Sequence, residues 1–505
     1  MRYGFAIDHR TCIGCHACTV ACKTEHDIPV GQFRTWVKYV DSGTFPDSTR
    51  DFGVMRCNHC TDAPCIEICP TNALFKREDG IVDFDSDVCI GCKACMQACP
   101  YDAIYIDKDT NTAAKCNFCA HRVDNGLEPA CVTVCPTESI WIGDLDDPDS
   151  GISRLVASND TLTRAPEQHT GPNVHYVGAE LKVLDPLGAP VRDTYLWAQP
   201  DDLRLLTAGD VRDTDTTAAT TLNTEHARPW GWRVATYLWT KGAGAGALLV
   251  AAVGLLLGLG LDGPLAWAPG LAVVGTAATG LLLVWDLKRP ERFHYLLTKP
   301  NFSSWVVKGA YCLLAIALVS GLLVLAQLLG ASGGTAATVL AVLGIPAAVL
   351  AAGYTAFLFA QAEGRDLWQS RWLFWHLITQ ATAAGAGLLG LAMLVSSPTD
   401  GQLTLVAAAL AIGTAASVAV ALVELGGSHD TAGAAVGASI MWRGRYAAYF
   451  WGGTVALGVV VAALSAYGWV SLTSWPVAVA GLLAQGSVLS YEFCFIRAGQ
   501  EVPLS

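Results

Sequence analysis

Sixteen of the eighteen cysteines fall between Cys12 and Cys135, in four runs of four. The runs are Cys12, Cys15, Cys18 and Cys22; Cys57, Cys60, Cys65 and Cys69; Cys89, Cys92, Cys95 and Cys99; and Cys116, Cys119, Cys131 and Cys135. A Cys-x-x-Cys-x-x-Cys loop wraps three corners of an iron–sulfur cubane, and the next cysteine in the run points away to a partner cluster. Crossing ligands in this way between the outer runs gives one set of Cys12, Cys15, Cys18 and Cys135 and a second of Cys22, Cys116, Cys119 and Cys131. The inner runs give a third set, Cys57, Cys60, Cys65 and Cys99, and a fourth, Cys69, Cys89, Cys92 and Cys95. Four [4Fe–4S] clusters are therefore expected. Prolines follow three of the runs (Pro70, Pro100, Pro136), whereas Lys23 follows the first. Zinc sites more often use two Cys-x-x-Cys pairs set well apart than third and fourth cysteines in one run. A cubane saturated by thiolates has no open coordination position, so these residues suit electron conduction and not substrate activation.

The elements that must hold these cysteines are small. Residues 1–150 alternate cysteine runs with short β-like pieces such as Ile81–Phe84 and Ile104–Ile106, as expected of loop-rich units held together by metal. From about residue 151 the chain turns polar, and Asp210–Ala227, rich in Thr, Asp and Ala without periodicity, reads as a linker. The rest is apolar. Overall, 52% of the 505 residues are hydrophobic and the mean hydropathy is +0.38, so part of the chain must lie in lipid. Runs long enough to cross a bilayer recur at about 242–261, 267–285, 304–329, 335–360, 372–396, 403–425, 447–470 and 475–495. Small-residue tracts such as Gly242–Gly246 and Ala383–Gly387 permit close helix approach there. The net charge of −12, with no basic stretch, argues against nucleic acid as a partner. Met1–Thr11 carries neither an apolar signal core nor a twin-arginine pair, so no export signal is expected on this chain.

Residues 1–185 resemble the four-cluster ferredoxin subunit of molybdopterin oxidoreductases, the group that includes polysulfide, dimethyl sulfoxide and formate enzymes. The resemblance rests on Cys57-Asn58-His59-Cys60-Thr61-Asp62-Ala63-Pro64-Cys65, on Cys89-Ile90-Gly91-Cys92-Lys93-Ala94-Cys95, on Lys115-Cys116-Asn117-Phe118-Cys119 with Arg122, and on Thr170-Gly171-Pro172-Asn173-Val174-His175-Tyr176. Some relatives replace one ligand by tryptophan and hold a three-iron cluster; here all sixteen positions are cysteine. The resemblance implies a separate catalytic subunit, molybdopterin-dependent, as partner. A hydrogenase as the electron donor is the alternative within the same reading.

The apolar half resembles the NrfD-type quinone-reactive subunit of the same enzymes, at Asp286-Leu287-Lys288-Arg289-Pro290-Glu291-Arg292-Phe293 and at Tyr354-Thr355-Ala356-Phe357-Leu358. In most relatives the two parts are separate chains; here they are fused. Ionisable residues are costly inside a bilayer and are functional candidates by default. Alternation of the spans puts Lys241, Asp286, Lys308, Tyr354, Glu363, His376, Glu424 and Glu492 toward the face that carries the N-terminal domain, side A. A quinone needs an apolar slot with hydrogen-bonding groups at its carbonyls that can also exchange protons. From the resemblance, Tyr354 and Asp286 are expected at the quinone head, Lys241 and His294 beside them, and Arg289 fixing the loop. The bland alternative for Lys241 and Lys308 is snorkelling toward headgroups. No haem is expected, since no histidines pair on facing spans.

The expected architecture is an α+β di-ferredoxin-like domain with four [4Fe–4S] clusters over 1–185, an extension and linker over 186–228, and an all-α eight-helix transmembrane bundle over 229–505. The resemblance implies menaquinone or ubiquinone as the exchangeable substrate, and the inner cell membrane as the expected location. Lys288, Arg289, Arg292, Lys299, Lys308, Arg365, Arg371, Arg443 and Arg445 all lie by side A, whereas the loop Ser396–Gln402 on side B has none. The positive-inside rule then puts the cluster domain in the cytoplasm. The resemblance keeps the outward orientation open, because many such relatives are exported with a signal-bearing partner. The competing class is a transporter-like membrane protein regulated by its clusters; it would place charges on both sides, and side B lacks them.

Overall fold

The computed structural model describes residues 1–191 and 217–505, so part of the expected linker lies outside the described residues. In the N-terminal domain, the strands β1 (Tyr3–Asp8), β2 (Thr35–Thr44), β3 (Asp47–Arg56), β4 (Leu74–Lys76), β5 (Val82–Phe84), β6 (Ile104–Ile106), β7 (Ala113–Lys115), β8 (Ile140–Asp144), β9 (Thr161–Leu162) and β10 (Val174–Val177) frame the cysteine loops. One sheet has the order β8-β1-β10-β9, with β1 parallel to β10; β4–β5 and β6–β7 are two-stranded ribbons. The expected pieces at 81–84 and 104–106 are β5 and β6. The expected linker is not all linker: Ala219–Leu222 forms a strand, β11, antiparallel to β2 at the edge of the β2–β3 hairpin. Its β-branched Thr220 and Thr221 favour extended backbone, and Thr220 is buried.

Beyond residue 228 the described residues form eight long helices: α1 (Trp232–Leu256), α2 (Ala268–Asp286), α3 (Trp305–Leu328), α4 (Thr335–Ala360), α5 (Leu373–Ala392), α6 (Asp400–Gly426), α7 (Leu457–Ser471, continuing a π-helical start at Tyr449–Ala456) and α8 (Ser474–Glu501). With their short leading turns, seven of these are long and apolar enough to cross a membrane. The remaining one, α5, has 20 residues, but His376, Thr379, Gln380 and Thr382 lower its hydropathy. The first helix starts at Trp232, well before the expected 242, because Arg233, Thr236, Thr240 and Lys241 dilute its apolarity without interrupting the helix.

The helices pack as two four-membered rings. In the first, α1, α2, α3 and α4 contact one another in sequence and α4 closes on α1; in the second, α5, α6, α7 and α8 do the same. The rings join where α1 meets α5. There a Cβ on Gly246 would lie 1.7 Å from the Ala381 carbonyl oxygen, and one on Gly385 2.0 Å from the Ala247 nitrogen. The small-residue tracts are therefore the crossing surface, where dispersion between close backbones replaces the hydrophobic effect that lipid cannot supply.

Candidate electron-transfer site

The two Cys-x-x-Cys-x-x-Cys loops have the same backbone form. Gly14 and Gly91 stand at φ 68° and 66°, and His16 and Lys93 at φ 60° and 65°, each just before a short helix that carries the third cysteine. The left-handed glycine bends the loop tightly, so that successive sulfurs point at one centre.

All the cysteines are free of disulfides. Cys12 interacts electrostatically with Cys15 and Cys135; Cys22 with Cys116, Cys119 and Cys131; Cys65 with Cys57, Cys60 and Cys99; and Cys95 with Cys69, Cys89 and Cys92. The last group lines one small cavity together with Gly91 and Ala113. Among the described residues no three His, Cys, Asp or Glu side chains converge as ligands of a single ion do. Donors face the cysteine sulfurs as well: Ala113 N–H to Cys89 Sγ at 3.4 Å, Ser139 N–H to Cys135 Sγ at 3.3 Å, and Arg56 Nη1 to Cys131 Sγ at 3.4 Å. Arg56 is fully buried, and its Nε and Nη2 have no hydrogen-bond partner among the described residues. A buried cation with orphan donors beside Cys18, Cys116 and Cys131 suits an anionic, sulfide-bearing group.

Cysteines of different runs are also electrostatic neighbours: Cys18 of Cys131, Cys116 of Cys57, and Cys95 of Cys65. The first end is open, with Cys15 exposed and Ile13 56% exposed. The other end is sealed onto the helices. Arg292 Nη1 donates to the carbonyls of Ser86 (2.7 Å) and Cys89 (2.9 Å), and the Lys288 and Arg289 N–H groups donate to Gly91 and Ile90, both at 3.2 Å. Asn301 Nδ2 donates to the Cys69 carbonyl at 2.8 Å, and Lys93 Nζ pairs with Asp286 Oδ2 at 2.6 Å.

Residues 220–503 match the family described as polysulphide reductase, NrfD, and residues 49–145 match a 4Fe-4S dicluster domain. The chain belongs to the NrfD family. Its curated relatives include a tetrathionate reductase subunit of Salmonella typhimurium, 44% identical over 37% of this chain and 76% of that one. A polysulfide reductase polypeptide of Wolinella succinogenes is 43% identical over 35% and 94%, and the arsenate respiratory reductase iron-sulfur subunit ArrB of Shewanella sp. ANA-3 is 36% identical over 35% and 96%. This NrfD chain thus joins an iron–sulfur domain of reductase type to a membrane domain in one polypeptide.

In the NrfD part, the structure brings Lys241 and Tyr354 together: Lys241 Nζ lies 4.2 Å from the Tyr354 ring centroid and donates to the Thr355 hydroxyl. Lys241 is only 3% exposed, so it does not snorkel. Tyr237 interacts with Tyr354, Asp286 and Glu492, and Lys241 with Glu492. Asp286 closes the side A end of this group, held by Lys93 and, at 3.6 Å, by Arg233. His294 and Arg289 are not part of it. His294 is exposed and its Nδ1 lies 3.1 Å from the Glu291 carbonyl, while the Arg289 side chain pairs with Glu291 at 3.3 Å. Sequence reasoning missed Lys93, Arg292 and Tyr237 as members of the site. For Tyr237 no signal existed, but Lys93 stands inside a cysteine loop where a solvent-facing residue would be ordinary. Gly309 was also missed; a Cβ there would lie 2.2 Å from the Tyr354 ring, which lies flat on α3.

Proposed function

We propose that this NrfD chain carries electrons between a separate catalytic subunit, molybdopterin-dependent, and a membrane quinone, menaquinone or ubiquinone, using four [4Fe–4S] clusters. The observation that supports the reading is that the disulfide-free cysteine runs begin at exposed Cys15 and reach the helices beside the Lys93–Asp286 pair. Each cluster, when bound, takes up and passes on one electron. The ligand sets are Cys12, Cys15, Cys18 and Cys135; Cys22, Cys116, Cys119 and Cys131; Cys57, Cys60, Cys65 and Cys99; and Cys69, Cys89, Cys92 and Cys95. Arg56 offsets negative charge midway, and Lys93 does so at the membrane end.

On this reading all eight helices span the bilayer, α5 included, since 20 residues give about 30 Å of helix. The cluster domain faces the cytoplasm of the inner cell membrane, supported by the arginines and lysines beside side A. Quinone reduction takes protons as well as electrons, so its head must meet groups able to hydrogen-bond and titrate. Tyr354, Lys241 and Asp286 supply these within reach of the innermost sulfur set, with Tyr237 and Glu492 behind them. Tyr354→Phe and Asp286→Asn should each lower quinone turnover by about tenfold or more, while a soluble donor still reduces the clusters. Unchanged quinone kinetics in both variants would remove these residues from the site.

A further inference from the structure

The short helix Ala17–Glu25 carries Cys18 and Cys22 four residues apart, so both lie on one face, and both are buried. The next residue in that spacing is His26. It closes the helix, its backbone N–H donating to the Cys22 carbonyl at 3.2 Å, and its half-buried ring continues the cysteine face. His26 Nε2 lies 3.1 Å from the Sγ of Cys119, in the last cysteine run.

Neighbours fix the ring. His121 packs edge-on against it, with centroids 5.2 Å apart and planes at 83°, and His121 Nε2 is held by Glu25 Oε1 at 2.7 Å. Glu25 ends the same helix and also accepts from Arg122 Nη1 at 3.2 Å. His121 and Arg122 follow Cys119 by two and three residues, so the helix end and the cysteine loop clamp each other around the His26–Cys119 contact. The Ala130 N–H donates to the same sulfur from the backbone, a bond that no substitution at position 26 removes.

A thiolate bound to iron carries no proton and can only accept, so Nε2 holds the hydrogen and donates. Reduction of the cluster adds one electron to an anionic, sulfur-rich group and forms or breaks no bond. An N–H aimed at a ligand sulfur stabilises the electron-rich reduced state more than the oxidised one and moves the reduction potential upward. We propose, resting on the assignment of Cys119 as a ligand of a [4Fe–4S] cluster, that His26 raises the reduction potential of that cluster through its Nε2–H···Sγ hydrogen bond. The electron is then held longer at this cluster than it would be without the histidine.

The test uses the full chain with its clusters, in a mediated redox titration at one fixed pH followed by electron paramagnetic resonance. His26→Phe keeps a ring beside His121 and lacks the N–H. It should move a single midpoint potential to a more negative value, leave the others in place and retain about sixteen iron atoms per chain. His26→Gln, whose amide N–H reaches about as far as Nε2, should shift the same potential less. Unchanged potentials in His26→Phe with full iron would overturn the proposal. Equal shifts in the two variants would trace the effect to packing and overturn it as well. A wild-type chain with little iron and no reducible cluster would refute the ligand assignment and the proposal with it. Should His26→Phe lose iron, the wild type grown with isotopically labelled histidine decides. Pulsed electron paramagnetic resonance of the reduced protein should show a histidine nitrogen coupled to a cluster, and the absence of such coupling from every cluster would overturn the proposal.

Discussion

The loops at Cys12–Cys18 and Cys89–Cys95 share one backbone conformation and have opposite surroundings. In the first, Ile13 is 56% exposed and His16 rests on Tyr39, Nε2 to hydroxyl at 3.1 Å. In the second, Ile90 is 1% exposed, and Lys93, at the position of His16, is 4% exposed and reaches Asp286. The same metal-wrapping turn thus serves as an open contact at one end and a sealed junction at the other. What distinguishes them is the residue between the second and third cysteines and whatever covers the preceding isoleucine. An outer loop left bare needs a partner; an inner loop with a buried lysine has one already, in the same chain.

The comparison breaks most sharply if one ligand is removed at each end. Cys15→Ser and Cys92→Ser should each reduce iron from about sixteen to about twelve atoms per chain. With Cys92→Ser, soluble donors should still reduce the outer clusters while quinone turnover is abolished. With Cys15→Ser, electron entry from the catalytic partner should fail while the inner cluster remains reducible. Electron paramagnetic resonance beside turnover separates the two cases, and identical behaviour of the variants would mean that the ends are not distinct.

A smaller effect is expected from the residue that distinguishes the loops. Lys93→Met strips a partly buried carboxylate of its nearest cation, leaving Arg233 at 3.6 Å. Breaking a buried pair costs roughly 3 kcal/mol, and the loss should appear as a lowered thermal midpoint for release of the cluster domain from the helices. His16→Phe removes one hydrogen bond at a half-open site, worth about 1 kcal/mol. Differential scanning calorimetry on the holo-protein should rank them in that order. A reversed ranking would show that the Lys93–Asp286 pair does not hold the junction.

The iron–sulfur character of the first domain was legible because closely spaced cysteines in one short loop can reach a common centre, and residues 49–145 match a 4Fe-4S dicluster domain. The helices were legible as apolar runs, but their ends were not, as Arg233 and Lys241 show for α1. The polar group around Tyr354 was legible only in part. Tyr354, Asp286 and Lys241 stood out as costly residues in lipid, yet their partners Tyr237, Thr355 and Gly309 look like ordinary helix residues until the rings close. His294 shares a motif with Asp286 but is exposed, and Arg289 pairs with Glu291 inside the loop; a motif records adjacency in sequence without saying which way each side chain faces.

The junction should also respond to pH, through a carboxyl on the loop that follows α4. Glu363 precedes Gly364, whose N–H donates to the Ala98 carbonyl at 3.2 Å, and Arg365, whose Nε donates to Gln97 at 2.8 Å. The loop therefore packs against the third run of cysteines, and a Cβ on Gly364 would stand 2.6 Å from the Cys99 carbonyl oxygen. Burial pushes the Glu363 carboxyl up to about 7, from an ordinary 4.5, and the negative charges of Glu67 and Asp62 add to the shift. With the folded value raised, the docked state holds a proton that the unfolded chain releases in the window between those values. The stabilisation is fully present below the ordinary value and is lost as pH rises through about 7. Glu363→Gln keeps the shape and removes the titration. The wild-type thermal midpoint should fall relative to the variant between about pH 5 and about pH 8, with the two converging at the acid end. The effect should be smaller than that of Lys93→Met, because Glu363 is only half-buried and water can reach it. A constant difference between the two proteins across that range would mean that Glu363 stays ionised in the docked state, and that Lys93 and Arg365 alone govern the electrostatics of the junction.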